Sequence, residues 1–322
     1  MRFSHVSSIA IILAAAGLTL SKAIAQAEEQ ILNLKEGWNT VHLRVTSDNS
    51  VAALFGGTPV DLVTTWYPEK QKVSSLQDPA SETWKNSEWR TWQAVGQPGA
   101  FLNNLHALES GRAYLIKARS ATTVHLTGKV SASRLRWQAQ SFNLTGLPAD
   151  PAGPATFGAF FAGSAAHQPL RVFRLVTGNW QPVSAATAIN PDEAYWIWCG
   201  EGSEFQGPLD VRVAENPVFN SSSESISVGL LSNSANSLAV QVTATGNLPL
   251  AGVTRQRFTN ATVAVIGTSP TVFSASSGEA QDYRISCATA SPAAGSSSLL
   301  QFRAAGVRLT VPVRFIPSSS AP

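Results

Sequence analysis

The 322-residue chain is long enough for two or three domains, each with a core of its own. Charged residues make up 13% of it, with 23 Lys and Arg against 20 Asp and Glu. So sparse and balanced a charge excludes the clustered basic face that nucleic-acid binding needs.

Residues 1–27 read as a secretory signal peptide. A basic start at Arg2 precedes an apolar run from Ile9 to Leu20 and small residues at Ala23, Ala25 and Ala27. The apolar run is shorter than the roughly 20 residues needed to span a bilayer. Cleavage is expected after Ala25 or Ala27. Arg2 and Lys22 leave with the signal, so 21 basic residues then face 20 acidic ones. The location implied is secreted, periplasmic or cell-surface, with no transmembrane segment after cleavage.

Residues 28–131 and 132–213 read as two copies of one β-module. "TVHLRV" sets Val41 and Leu43 against Phe142 and Leu144 of "SFNLTG", and "SVAALFGG" pairs Phe55 with Phe161 of "TFGAFFAGS". "PVDLVTTWY" over "QPLRVFRLV" pairs Val63 with Val172 and Trp66 with Leu175; "TWQAV" over "NWQPV" pairs Trp92 with Trp180. "SGRAYLIKA" and "PDEAYWIWCG" then align Tyr114 with Tyr195, and "TVHLTGKV" over "SEFQGPLDV" aligns Gly128 with Gly207. The spacing between copies drifts, as it does when loops vary and strands persist. Alternating apolar, β-branched and aromatic residues mark the matched pieces as strands. "VFRLVTGNWQPV" is the clearest hairpin, turning at Thr177, Gly178 and Asn179.

The residues "EGWNTVHL" (Glu36 to Leu43), "VAALF", "VTTWY", "WQAV" and "SGRAYLIKA" resemble the GWN-type β-repeat of exported and cell-surface proteins of bacteria and archaea. In that family a Gly-Trp-Asn strand opens the unit, a Trp-containing hairpin follows, and a Gly-Tyr-Trp-type strand closes it. The resemblance covers about Gln30 to Val130 and, more loosely, Arg134 to Val211. In the second copy Trp38 has no counterpart on this alignment: Ala139 takes its place and Trp137 falls two residues early. The resemblance implies surface location and a binding or structural role, with no catalytic residue to transfer.

Residues 214–225 are polar and read as a linker. Residues 226–317 follow as an Ig-like β-sandwich, with strands expected in "SISVGLL", "SLAVQVTATG", "ATVAVIG", "DYRISCATA", "SLLQFRAAG" and "VRLTVPVRF". Antibody-type Cys-Trp-Cys spacing is absent, and 318–322 form a tail. The expected fold class is therefore all-β, two related antiparallel β-modules followed by an Ig-like β-sandwich.

Candidate chemistry is thin. His42, His106, His125 and His167 lack metal-ligand spacing, and His42 and His125 read as solvent-facing strand residues. No phosphate cradle or nucleophile elbow appears. Asp61, Glu69, Glu88 and Glu109 are too scattered for a paired-carboxylate site. No catalytic residue, metal site or cofactor is expected. Cys199 and Cys287 leave two readings: a disulfide, which needs Cα atoms within about 7 Å, or two small apolar strand residues. Of the tryptophans, Trp38, Trp66, Trp92, Trp180, Trp196 and Trp198 are assigned mostly to core. An insertion from about Glu69 to Arg90 carries Trp84, Lys85, Trp89 and Arg90, a set suited to stacking on a sugar or peptide. The functional expectation is a non-enzymatic surface array for adhesion or protein–protein scaffolding, with surface protein or polysaccharide as partner; the alternative is a carbohydrate-binding module.

Overall fold

The computed structural model describes residues 27–67, 89–132, 134–214, 217–220, 225–254, 263–289 and 292–317. Nearly every regular element is a strand. In the first unit these are β1 (Ala27–Leu34), β2 (Gly37–His42), β3 (Val45–Ser47), β4 (Val60–Trp66), β5 (Trp89–Gln93), β6 (Ala113–Ala118) and β7 (Thr122–Val130). They form a three-stranded sheet, β1-β7-β3, and a four-stranded sheet, β2-β6-β4-β5. In β7 buried and exposed side chains alternate over most of its length, the period-2 pattern of a strand with one face on a core. Leu32, Val124 and Leu126 meet Val41, Val63, Trp92 and Tyr114 across that core. A short helix, α1 (Val51–Phe55), plugs its end; Ser50 caps it by accepting from the Ala53 N–H.

The second unit repeats the larger sheet. Its strands β8 (Ser141–Thr145), β9 (Val172–Val176), β10 (Asn179–Pro182) and β11 (Tyr195–Cys199) lie in the order β10-β9-β11-β8. Its helix α2 (Phe157–Phe161) is capped by Thr156, which accepts from Ala159 as Ser50 does from Ala53. The hairpin turns on two residues rather than three. Thr177 and Gly178 have φ of 48° and 81°, and Asn179 already pairs with Val176. Two positive φ values are what a tight hairpin following the strand twist requires.

Two hydrogen-bonding devices recur in both units. The Tyr114 hydroxyl accepts the Glu109 N–H at 2.8 Å, and the Tyr195 hydroxyl accepts the Asn190 N–H at 3.1 Å, each five residues upstream. Both rings are buried. Asn39 and Asn143 each clip the start of a strand: Asn39 accepts from the Lys35 N–H and donates back to its carbonyl, and Asn143 does the same with Gln138.

These devices correct the register expected from sequence. Tyr114 pairs with Val41 and Tyr195 with Thr145, so Trp38 corresponds to Phe142, Asn39 to Asn143 and Leu43 to Leu147. "SFN" is thus the second copy's counterpart of "GWN", three residues away from the Val41–Phe142 alignment. An odd shift in a strand turns every side chain to the opposite face. The pairing of Trp92 with Trp180 fails in the same way. Trp66 faces Trp89 as Leu175 faces Trp180, which makes Trp89 the counterpart of Trp180 and Trp92 that of Val183. Val63 with Val172 and Trp66 with Leu175 keep their expected partners.

The third unit contains β13 (Val218–Phe219), β14 (Ser225–Ser232), β15 (Leu238–Gly246), β16 (Leu250–Thr254), β17 (Val263–Ile266), β18 (Thr271–Ser277), β19 (Gln281–Cys287), β20 (Ser297–Ala304) and β21 (Val307–Phe315). One layer runs β13-β21-β20-β15-β18 and the other β14-β19-β16-β17, joined where Leu231 and Ser232 pair in parallel with Ser276 and Ser277. Three of these strands, β13, β16 and β18, were not expected. In β16 a glycine, Gly252, lies under the Phe273 ring, so the strand lacks the alternation that would reveal it.

Two boundaries also move. β12 (Leu209–Arg212), expected to close the second unit, pairs with β14 of the sandwich. The expected linker contributes β13, which pairs with β21 and buries Phe219 completely.

Candidate functional site

The three units meet around a polar network. Gln30 on β1 is buried; its amide donates to the His42 carbonyl at 2.8 Å and to Asp192 Oδ1 at 3.0 Å, while its Oε1 accepts from the Arg44 N–H. The His42 N–H donates to the Asp192 carbonyl, and its ring Nδ1 lies 3.2 Å from the Pro191 carbonyl. Burial lowers the His42 pKa, with the Arg44 charge adding to the effect, so the ring is neutral at pH 7. Gly146 lies against this ring, where a Cβ would overlap it. Arg44 grips both sides of the junction, bonding Asp192 at 3.1 Å and Glu28 at 3.2 Å. Asp210 on β12 is buried between Arg134 at 2.9 Å and Arg212 at 3.0 Å.

Beside this network opens a cleft of about 310 Å³, at the lower end of the ~300–1,000 Å³ usual for small-molecule sites. Arg44, Arg134, Arg136 and Arg308 line it against Glu28 and Asp210, and much of the remaining wall is apolar. No single strand of sequence announces this set. Arg308 alternates in "VRLTV" as an outward residue would, and only the docking of the β20–β21 hairpin brings it to the cleft.

A second polar pair lies behind α2. Ser164 Oγ is 2.7 Å from His167 Nδ1, both buried, but the ring stands 4.3 Å from Trp137 and 4.6 Å from Phe161, and its Nε2 has no partner among the described residues. Burial takes its pKa down to about 4. A base oriented by a third polar group would need a bond at that nitrogen; here the ring is part of the core.

The sequence candidates fare unevenly. Trp84 and Lys85 lie outside the described residues. Trp89 is 4% exposed and belongs to a seam between the two four-stranded sheets, not to a binding loop. The reason is the register: facing Trp66, its ring falls on the outer side of its own sheet and meets Trp196 at 6.4 Å. Arg90, the next residue, points the other way, and its guanidinium lies 4.3 Å over the Tyr67 ring. Arg112 stacks 3.6 Å from the same ring, and both Arg112 and the Tyr67 hydroxyl reach Glu109.

The seam also relocates most of the other tryptophans assigned to core. Trp66, Trp180 and Trp196 meet there edge-on, with Trp66 and Trp180 at 5.8 and 6.1 Å from Trp196, and Trp198 packs at its margin. Only Trp92 of the expected set joins the first unit's own core, 6.1 Å from Phe55. His42, read as solvent-facing, is buried at the junction; His125 is exposed and bonds Glu29. No disulfide joins the cysteines: Cys199 is buried in the second core and Cys287 packs against the third. Among the described residues no group of three or more His, Cys, Asp or Glu is placed to hold a metal, and no helix is long and apolar enough to cross a membrane.

No family model matches the chain, and no curated protein matches it. Among solved structures it is similar to a chain of the CsuC–CsuE chaperone–tip adhesion subunit pre-assembly complex from archaic chaperone-usher Csu pili of Acinetobacter baumannii. That match has 14% identity and a TM-score of 0.24, covering 34% of this chain and 57% of that one. It is also similar to a FixG-related protein from Vibrio parahaemolyticus, at 10% identity and a TM-score of 0.20, covering 34% of this chain and 94% of that one. Scores this low carry no argument about activity; what the chain itself displays is an all-β architecture of repeated antiparallel sheets.

Proposed function

We propose that the chain is an exported, non-enzymatic array of β-units acting at a surface, in adhesion or protein–protein scaffolding. One observation carries this reading: the positions that recur between the two units are scaffold positions. They are the tyrosine hydroxyls that receive a backbone N–H, the asparagine clips and the helix caps at Ser50 and Thr156. The resemblance to GWN-type repeats supports the same reading. Arg44, paired with both Glu28 and Asp192, ties the first unit to the second, which suits a stiff spacer. Fractionation of producing cells, with protease applied to intact cells, tests the proposal. The mature chain is expected in the exported fraction and open to protease; a chain confined to the cytoplasm with an intact N-terminus would sink it.

The carbohydrate-binding alternative is supported by the stacked Arg90, Tyr67 and Arg112 group next to residues 68–88, which carry Trp84 and Lys85. On that reading, a glycan array should show binding that Trp84→Ala abolishes, and an array without any bound glycan would remove it.

A further inference from the structure

The cleft among the three units holds a cation that the protein leaves mostly unanswered. The Arg308 side chain is 14% exposed, and its one ion contact among the described residues is Glu28 at 3.9 Å. That carboxylate is already engaged by Arg44 at 3.2 Å. No described group accepts a hydrogen bond from the Arg308 guanidinium, although it has five N–H donors. Two other charges of the cleft are better matched: Asp210 has two arginines, and Arg44 has two carboxylates. Arg308 is partly buried, and even partial withdrawal of a charged donor from water without a close partner carries a cost. Consistent with that cost, burial and the neighbouring Arg44 charge lower the Arg308 pKa.

The rest of the lining states what kind of partner would fit. Leu135, Val211 and Leu309, each partly exposed, give the cleft an apolar wall. A planar fork of donors matches a carboxylate, and such charge-assisted bonds are the stronger kind. We infer that this cleft is a binding site for a small carboxylate with an apolar body, its head on Arg308 and its body against Leu135, Val211 and Leu309.

This inference goes beyond the proposed surface role and does not depend on it. The test is calorimetric titration of the full mature chain with octanoate, alongside octanamide and acetate. Octanoate is expected to bind saturably at one site, with octanamide and acetate each at least tenfold weaker. Arg308→Gln should weaken octanoate at least tenfold, and Arg308→Lys should lie between, because it keeps the charge and loses the fork. Glu28→Gln removes the competing carboxylate and should tighten binding, which keeps the test open if an Arg308 variant loses its near-UV circular dichroism. Failure of the wild-type chain to bind octanoate, equal binding of octanoate and octanamide, or a folded Arg308→Gln chain that binds as the wild type does would each overturn the inference.

Discussion

The two repeats share a sheet and differ in how they finish. The first unit closes on itself, because β7 returns between β1 and β3 and Val45 pairs with Val130. In the second unit the residue corresponding to Val45 is Ala149, and it bridges Val307 of the sandwich. The backbone carbonyl of Gly306 accepts the N–H groups of Asp150 and Ala155, Arg308 donates to Pro148, and Val307 is buried in the second unit's core. The strand that would have closed this unit, β12, is paired with the sandwich instead. In place of the β1–β7 ladder there is one bridge, Trp137 to Ser203, and the Gln206 side chain, which accepts from the Leu135 N–H and donates to the Leu135 carbonyl. A duplicated module has thus become a bridge whose second half is completed by its neighbour.

The largest expected effect tests the seam that joins the repeats. Trp196 and Leu115 are counterparts, but Trp196 sits at the centre of the aromatic cluster while Leu115 packs at its margin. Trp196→Ala should cost about 3–5 kcal/mol and Leu115→Ala should fall at the low end of about 2–5 kcal/mol, both read from denaturant midpoints. Equal losses would mean that the seam has no centre.

Next comes pH. The His167 ring, held near pKa 4 in the folded state and free to titrate near 6.5 in the unfolded chain, contributes stability present above pH 6.5. That contribution drains as pH falls toward about 4, by on the order of 3 kcal/mol at most. Position 167 has no histidine counterpart in the first unit, so acid should release the second unit first. His42, lowered in the same direction, loosens the junction over the same side of the scale. Hydrogen exchange at pH 7 and pH 5 would show this, and equal acid sensitivity of both units would contradict it.

Smaller still are the tyrosines. Tyr114→Phe and Tyr195→Phe each orphan one N–H and should cost about 1–2 kcal/mol. Tyr195→Phe should be the more costly, since its hydroxyl also donates to Glu193. The least effect, about 1 kcal/mol in each unit, is expected from Ser50→Ala and Thr156→Ala at the helix caps.

How much of this could be read from residues alone follows from how each strand is buried. β7, exposed on one face, shows clean alternation and was placed correctly, as were the Tyr114 and Tyr195 strands. The three-residue slips at Phe142 and Trp180 arose where the four-stranded sheets are apolar on both faces, one toward a unit core and one toward the seam. A strand buried on both sides carries no alternation to fix its register. The asparagines, which clip backbone and leave no hydrophobic trace, would have fixed it. By the observed pairing, Trp66 to Trp89 spans 23 positions and Leu175 to Trp180 spans 5, so the insertion ends before Trp89 and that ring never belonged to it. The cleft was out of reach for another reason. Its charges come from β1, the segment after β2, the segment before β8, β12 and β21, and nothing local in those segments marks them as neighbours.

The dependence of the second unit on the sandwich hairpin is tested most directly by amide hydrogen exchange on a Gly306→Ala chain. Gly306 has φ 73°, and a Cβ there would overlap the Ala155 backbone. Exchange should accelerate at Asp150 and Ala155 and through β8, β9 and β11, while the β1, β3 and β7 amides of the first unit keep their wild-type protection. Equal loss in both units, or wild-type protection throughout the second, would contradict the account.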